Sequence, residues 1–162
     1  MVIKSLNDLM IDLLKDMHSA ESQIVKALEK MVQKASSQKL KDAFDQHLKE
    51  SREHVKRVEE ACKIVDVKPT GEKCLGIEGI INESELMIAS VQDEDVLDAT
   101  LIVSAQRVEH YEIASYGTAI TLAKMLEDSR VAELLGQNLD NEKKTDSKLT
   151  ELAESMINEK AL

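Results

Sequence analysis

Acidic and histidine side chains interrupt the apolar stripe near the midpoint of four helical stretches in this 162-residue sequence. They are Glu21 in the first stretch, His47, Glu50 and His54 in the second, Glu109 and Glu112 in the third, and Glu142 and Asp146 in the fourth. A buried carboxylate without compensation is strongly destabilising, so such a group must pair, take up a proton or coordinate a metal ion. Several of these groups at one height in one core indicate a metal site.

The positions of these residues relative to two turns place one carboxylate of each helix in a single layer. Tight turns are predicted near positions 36 and 127, and both arms of a helical hairpin rise by about 1.5 Å per residue. Glu21 lies almost as many residues before the first turn as Glu50 lies after it. Glu112 and Glu142 are likewise equally far from the second turn, one before it and one after it. His18, His54, Glu109 and Asp146 lie one turn of helix farther from the chain reversals than this layer does. His47 lies one turn of helix nearer to the first chain reversal.

The spacing of apolar residues predicts an all-α fold, a ferritin-like antiparallel four-helix bundle in a single domain, 1–162. Repeats of three and four residues predict helices over about 5–35, 38–66, 94–126 and 130–159, with Ser5 as the first N-cap. The helices form two hairpins, 5–66 and 94–159. The segment 67–93 between them starts with the breaker Lys68-Pro69-Thr70-Gly71 and then carries a short fifth helix. A crossover of this length is the connectivity of ferritin-like bundles, whereas an up-down bundle needs only a short loop.

Composition and charge exclude several classes of protein. The net charge of −10 argues against nucleic-acid binding, because a phosphate backbone would be repelled. No apolar run reaches the roughly 18 residues that span a bilayer, and the N-terminus lacks a signal-peptide pattern. Two cysteines, Cys62 and Cys74, are too few for a disulfide framework or a zinc knuckle. We therefore expect a cytoplasmic protein with reduced thiols and no membrane partner.

Four segments of the chain resemble the YciF/YciE family of bacterial stress proteins. They are 108–118 (VEHYEIASYGT), 47–50 (HLKE), 19–23 (SAESQ) and 142–146 (EKKTD). The resemblance covers nearly the whole chain, and the segment around Glu109 and Glu112 is quite specific. It implies a ferritin-like di-metal bundle, a homodimer and a role in stress response, but no particular reaction.

The ferritin-like pattern implies a set of metal ligands. Glu21 matches the glutamate of the first helix, Glu109 and Glu112 match the pair on the third, and Glu142 matches the fourth. The second helix should offer Glu followed by His three residues on. Here Glu50 is followed by Glu53 instead, so either His47 or His54 is the imidazole ligand, and His47 is preferred. Thr145 stands where the fourth helix should carry His, and Asp146 is a substitute ligand or a supporting group.

Two functions are open at this point. Carboxylates with one or two imidazoles suit Fe or Mn, and two ions would balance so many acidic groups. The first hypothesis is a di-iron or di-manganese protein that handles peroxide, O₂ or iron, with no catalytic residue assigned. The second hypothesis is a non-enzymatic stress or interaction protein whose metal site is structural or vestigial.

Overall fold

Five long helices make up most of residues 2–162, the part of the chain that the computed structural model describes. The helices are α1 Leu6–Lys34, α2 Gln38–Ile64, α3 Leu75–Ser90, α4 Glu94–Met125 and α5 Ser129–Leu152. A π-helical turn, Ala153–Ile157, and the short α6, Asn158–Lys160, continue from α5. No strand occurs among the described residues, so the predicted all-α class is confirmed. Each of these helices is also too short or too polar to cross a lipid bilayer.

The four longest helices form the predicted ferritin-like bundle. Helix α1 packs against α2 and α4, and α5 packs against α4 and α2, which closes a ring of four neighbours. Short turns join α1 to α2 and α4 to α5, so each pair is an antiparallel hairpin. The long connection between α2 and α4 carries α3, which lies against α4 and α1. The predicted crossover with a short fifth helix is therefore confirmed.

Local capping chemistry sets several helix ends near the predicted positions. Ser5 Oγ accepts a hydrogen bond from the backbone N–H of Asp8 at 3.1 Å and caps α1 as predicted. Asp93 caps α4 by accepting from Asp95 N at 2.9 Å and from Val96 N at 3.1 Å. Asp128, the residue before α5, makes no side-chain capping bond. The turn before it instead uses Glu127 in the left-handed region, with φ of 62°.

Two apolar clusters fill the two halves of the bundle and leave a polar layer between them. One cluster includes Ile24, Leu28, Phe44, Leu101 and Leu149. The other cluster includes Met10, Leu14, Val58, Ala119 and Leu135. The polar residues near the helix midpoints fall between these clusters along all four helices. Apolar packing above and below therefore holds this layer away from solvent.

The crossover helix α3 covers one side of the bundle. Ile77 is fully buried, and Ile80 and Ile81 pack against the cluster that contains Phe44. Leu75 and Leu86, on the outer face of α3, remain 74% and 75% exposed. Some apolar residues of α3 thus cover the core, and others face outward.

A buried carboxylate fixes the turn between α1 and α2. Asp98, on α4, is 1% exposed and accepts three hydrogen bonds of 2.8 Å, from Ser36 N, Ser36 Oγ and Ser37 N. These donors lie just before α2, where the helix has backbone N–H groups without intrahelical acceptors. Asp98 therefore links the first hairpin to α4 and sets the height of α1 and α2 relative to the second hairpin.

Asp98→Ala is expected to lower the free energy of unfolding by about 3 kcal/mol, because it leaves three donors without their charged acceptor. Urea unfolding followed by circular dichroism measures this loss. Asp42→Ala, which removes an exposed acid from α2, is the control and should change stability by less than about 0.5 kcal/mol. Equal stability of the two variants would show that the turn is held by other contacts.

Candidate metal centre

Six acidic and histidine side chains from all four long helices converge in the polar layer. Each of these side chains is at most 2% exposed. They are Glu21, His47, His54, Glu109, Glu112 and Glu142. Each side chain sits at a place where the apolar stripe of its helix would otherwise continue. The bundle therefore buries four carboxyl groups and two imidazoles at one height.

These six residues form two overlapping groups, each able to hold one cation. The first group is Glu21, His54, Glu112 and Glu142, and the second is His47, Glu109, Glu112 and Glu142. Within each group, one ligand atom from each residue lies within 4.8 Å of all the others. Glu112 and Glu142 belong to both groups. The two candidate groups therefore share two of their carboxylates.

The two oxygens of Glu142 face different imidazoles. Its Oε1 lies 2.8 Å from His54 Nδ1, and its Oε2 lies 3.8 Å from His47 Nε2. Glu21 Oε1 lies 3.4 Å from His54 Nδ1, and Glu109 Oε1 lies 3.0 Å from His47 Nε2. Each imidazole thus lies near one oxygen of Glu142 and near one further carboxylate.

Most of the inward-facing polar atoms of the cluster have no hydrogen-bond partner. They are Glu21 Oε2, His47 Nε2, His54 Nδ1, Glu109 Oε2 and both carboxyl oxygens of Glu112 and Glu142. The imidazole–carboxylate contacts of 2.8 and 3.0 Å lie within ion-pair distance but lack hydrogen-bond geometry, so none of these atoms has a hydrogen-bond partner. Native proteins rarely leave buried polar atoms unpaired, and coordination to a metal ion satisfies such atoms. The donor set therefore fits metal ions.

Burial and neighbouring negative charges favour the protonated form of two carboxyl groups in the cluster. Burial, followed by the charges of Glu142, Glu21 and Glu109, raises the pKa of Glu112 well above its usual value. Burial also raises the pKa of Glu109. Glu142 is the exception: burial opposes its ionisation, but close contacts with Glu109 and His54 hold its pKa below the usual range. Protons thus take the place of some of the positive charge that cations would supply.

The two imidazoles are stabilised in their charged form. Burial disfavours a charged His54, but the contacts with Glu142 and Glu21 outweigh burial and raise its pKa to about 10. For His47, burial is likewise outweighed, chiefly by the negative charge of Glu109, and its pKa lies well above the usual value. Because a ligating imidazole must be neutral, metal binding at this site requires the loss of protons.

Polar contacts outside the cluster fix which nitrogen of each imidazole points inward. Thr145 Oγ1 lies 3.3 Å from His47 Nδ1, which leaves His47 Nε2 for the centre. Asn141 Oδ1 lies 3.2 Å from His54 Nε2, which leaves His54 Nδ1 for the centre. Partners of this kind set the tautomer and the ring orientation of metal-binding histidines. Thr145 on α5 stands where the family pattern expects His, and it contacts His47 of the neighbouring α2.

A second chain of hydrogen bonds orients Glu21. Tyr116 is buried and donates its hydroxyl hydrogen to Glu21 Oε1. Asn138 Nδ2 donates to the Tyr116 hydroxyl at 2.9 Å, and Arg57 donates to Asn138 Oδ1 at 2.9 Å. This chain runs from a partly buried guanidinium to Glu21 and leaves Glu21 Oε2 free. Tyr116 thus holds one oxygen of Glu21 in place.

Tyr116→Phe is expected to weaken metal binding by about tenfold, because Glu21 would lose the hydroxyl that orients it. Titration with Mn(II) under anaerobic conditions, followed by calorimetry, measures this change. Tyr111→Phe is the matched control, because the Tyr111 hydroxyl donates to Asp16 at 3.0 Å and lies 3.1 Å from Cys74 Sγ, outside the cluster. An unchanged affinity in Tyr116→Phe would show that packing alone positions Glu21.

The structure does not bring two of the predicted ligands into either group. Glu50 is 28% exposed, and its closest approach to His47 Nδ1 is 4.0 Å. It borders a pocket of about 90 Å³ that also reaches His47 from the α2–α5 side. Asp146 is 24% exposed and accepts a hydrogen bond from Gln106 Nε2 at 3.0 Å. Their roles as ligands stay predictions, and in the structure both lie at the edge of the site.

The remaining histidines and both cysteines also lie outside the two groups. His18 pairs with Glu59 at 3.4 Å, and His110 lies 3.4 Å from Asp146. Cys62 and Cys74 are free and buried. Burial raises the pKa of Cys62 to about 11, so its thiol stays protonated near neutral pH. The cluster is thus built from oxygen and imidazole donors alone.

Comparison with known proteins places the chain in a family. A family described as "Domain of unknown function (DUF892)" matches residues 5–162. The chain belongs to the DUF892 family. Protein YciF from Escherichia coli (strain K12), a curated relative of this chain, is 43% identical over 162 residues, which cover 99% of this chain and 98% of YciF. The resemblance that the sequence segments indicated is therefore confirmed.

Solved structures support the same fold for this DUF892 chain. The crystal structure of the E. coli stress protein YciF has a TM-score of 0.91 at 43% identity, and the match covers 96% of this chain and 99% of that one. "YcfI, a putative structural protein from Rhodopseudomonas palustris" has a TM-score of 0.89 at 38% identity, with 91% and 94% covered. A protein from Xanthomonas campestris pv. campestris has a TM-score of 0.76 at 18% identity, with 94% of each chain covered, and is similar in fold alone.

Proposed function

We propose that this protein binds two transition-metal ions, iron or manganese, in the buried carboxylate–histidine cluster. The observation that carries the proposal is the set of eight buried polar atoms that face one another without hydrogen-bond partners. Charge balance supports the number of ions. Four carboxylates carry four negative charges when they are ionised, and two divalent cations with two neutral imidazoles neutralise them.

The chemistry of the donors favours iron or manganese over softer ions. Four carboxyl groups supply hard oxygen ligands, and two imidazoles supply nitrogen ligands of intermediate hardness. Glu21 and His54 would hold one ion, and His47 and Glu109 would hold the other. Glu112 and Glu142 would bridge the ions, which supports the two-ion arrangement over a single mononuclear site.

The function that this site supports best is the handling of peroxide, O₂ or iron in a bacterial stress response. A bound pair of such ions supplies redox chemistry that no side chain of the cluster has on its own. The protein would contribute a dry cavity, fixed imidazoles and carboxylates that can exchange protons for metal. The stress-response part of the proposal rests on the similarity to YciF, which is named as a stress protein.

A purely structural role is the second candidate. The R. palustris relative is named as a putative structural protein. In that case, bound cations would only neutralise Glu21, Glu109, Glu112 and Glu142 and contribute to folding. The two candidates make the same prediction for metal content but different predictions for turnover.

Anaerobic loading separates these possibilities. The metal-free protein is incubated with Fe(II) or Mn(II), desalted and analysed for metal, with two ions per chain expected. Hydrogen peroxide or O₂ is then added together with excess ascorbate as the electron donor, and repeated consumption beyond one equivalent per site supports the redox function. Two bound ions without turnover support the structural role. Protein that stays metal-free after loading would contradict both.

The homodimer and the cytoplasmic location that the sequence implied stay predictions. The exposed Leu75 and Leu86 on α3 offer an apolar surface for contact between two copies. Light scattering of the purified chain would determine its oligomeric state.

A further inference from the structure

A serine lies between the two inward-facing histidines on α2 and has no partner. Ser51 is 0% exposed, and its hydroxyl oxygen makes no hydrogen bond. It follows His47 by four residues and precedes His54 by three. At 3.6 residues per turn, these spacings put all three side chains on one face of the helix. Ser51 therefore faces the same layer as the two imidazoles.

The geometry of the helix places Ser51 between the two imidazole-bearing residues of α2. The Ser51 backbone lies about 6 Å along the axis from His47 and about 4.5 Å from His54. The ring centroids of His47 and His54 are 6.5 Å apart. Each ring belongs to a different group of ligands, so the Ser51 backbone lies along α2 between the residues that contribute to the two groups.

The missing hydrogen bond sets Ser51, together with Ser104 on α4, apart from three other helical serines. Ser22, Ser84 and Ser115 each donate to the carbonyl oxygen four residues earlier, at 2.8 Å. This local bond is the usual way in which a helix satisfies a serine hydroxyl. Ser51 does not make it, although His47 O is the equivalent acceptor. A buried hydroxyl without a partner is destabilising. Ser104 borders an apolar cavity, whereas Ser51 lies on the face of α2 that carries the two imidazoles, so its hydroxyl has polar surroundings to which a small ligand could be added.

We infer that Ser51 donates a hydrogen bond to a small, non-protein ligand of the two ions, in the chemical class of azide, hydroperoxide or water. The inference rests on the proposed function, because the ligand is held by the metal pair. Ser51 carries its hydroxyl on a single carbon and does not reach across the layer as the glutamates do. It thus supplies a donor without occupying the position of the ligand, and it acts as a positioning residue for what binds there.

Azide is the probe for this position. It is added to the Fe(III)-loaded protein, and binding is followed through the azide-to-iron charge-transfer absorption. Ser51→Ala is expected to keep two ions per chain and to bind azide about tenfold more weakly, since one hydrogen bond to a charged ligand is lost. Ser51→Thr, which keeps the hydroxyl, should restore affinity to within about threefold of the original chain.

Ser104→Ala is the matched control. Ser104 is also a buried serine whose hydroxyl lacks a partner, but it borders an apolar cavity formed with α1 and α3, away from the ligand groups. Its removal should leave azide affinity unchanged. In the metal-free protein both alanine variants should be at least as stable as the original chain, because neither hydroxyl has a protein partner.

The outcomes separate the inference from the proposed function. Two bound ions with equal azide affinity in Ser51→Ala and the original chain would overturn the inference and leave the metal site in place. A loss of metal from Ser51→Ala would also overturn it, because Ser51 would then position the ions themselves. An original chain that binds no metal would remove the proposed function and the inference together.

Discussion

Glu142→Gln is expected to remove both metal ions, with an affinity loss of more than about 100-fold at each position. Glu142 belongs to both ligand groups, and its two oxygens face different imidazoles. Glutamine has almost the same shape but no charge, and its nitrogen cannot coordinate as a carboxylate oxygen does. Changes to residues that only support ligands lower metal affinity by about 10- to 100-fold, so the loss of a shared ligand should exceed that range.

Metal analysis after anaerobic loading and desalting measures this effect. The original chain should retain two ions, and Glu142→Gln should retain fewer than about 0.2. Circular dichroism checks that the variant keeps its helices. A variant that still binds one ion tightly would contradict the bridging role and indicate that one group is complete without Glu142.

Glu50→Gln provides a sharp comparison, because Glu50 was a predicted ligand that the structure places at the edge of the site. It should retain both ions, as should the control Glu53→Gln, whose side chain is exposed and pairs with Lys56. Loss of metal from Glu50→Gln alone would show that Glu50 moves inward when ions bind. The pocket of about 90 Å³ beside His47 would then mark its path.

Metal removal is expected to lower the melting temperature by roughly 10–30 °C. At each of the two sites, free metal at 100 to 1,000 times the dissociation constant stabilises the folded state by about 3–4 kcal/mol, which is about 5–8 kcal/mol for both, and 1 kcal/mol shifts the midpoint of a domain this size by about 2–4 °C. The physical reason is that the metal-free core must hold four carboxyl groups and two imidazoles without enough partners for their polar atoms.

Thermal unfolding of the chelated and reloaded protein measures this shift. Glu142→Gln is the control, and its midpoint should change by less than about 2 °C on addition of the same metal. Mg(II) tests for a general effect of divalent charge and should shift the original chain less than Mn(II) does, since it does not favour imidazole ligands. Equal midpoints with and without two bound ions would contradict a coupling between the site and folding.

The sequence determined the helices and the height of the polar layer. Helix positions follow from local apolar spacing, and the rise per residue is fixed, so distance from a turn gives height. The turns near positions 36 and 127 predicted Glu21, Glu50, Glu112 and Glu142 in one layer, and the structure brings all of them except Glu50 into one cluster. The long crossover followed from the count of residues between the hairpins.

The rotation of each helix about its axis, and the side chains that contact the cluster from outside, become known only from the tertiary structure. His47 and His54 differ by seven residues and share a face, so packing of α2 brings both inward. Glu50 lies about 60° around the same helix and remains partly exposed. The link from Arg57 through Asn138 to Tyr116 joins residues distant in sequence, and a local pattern carries no information about such contacts. Height along a helix is a local property, whereas rotation about its axis is set by the summed packing of all its neighbours.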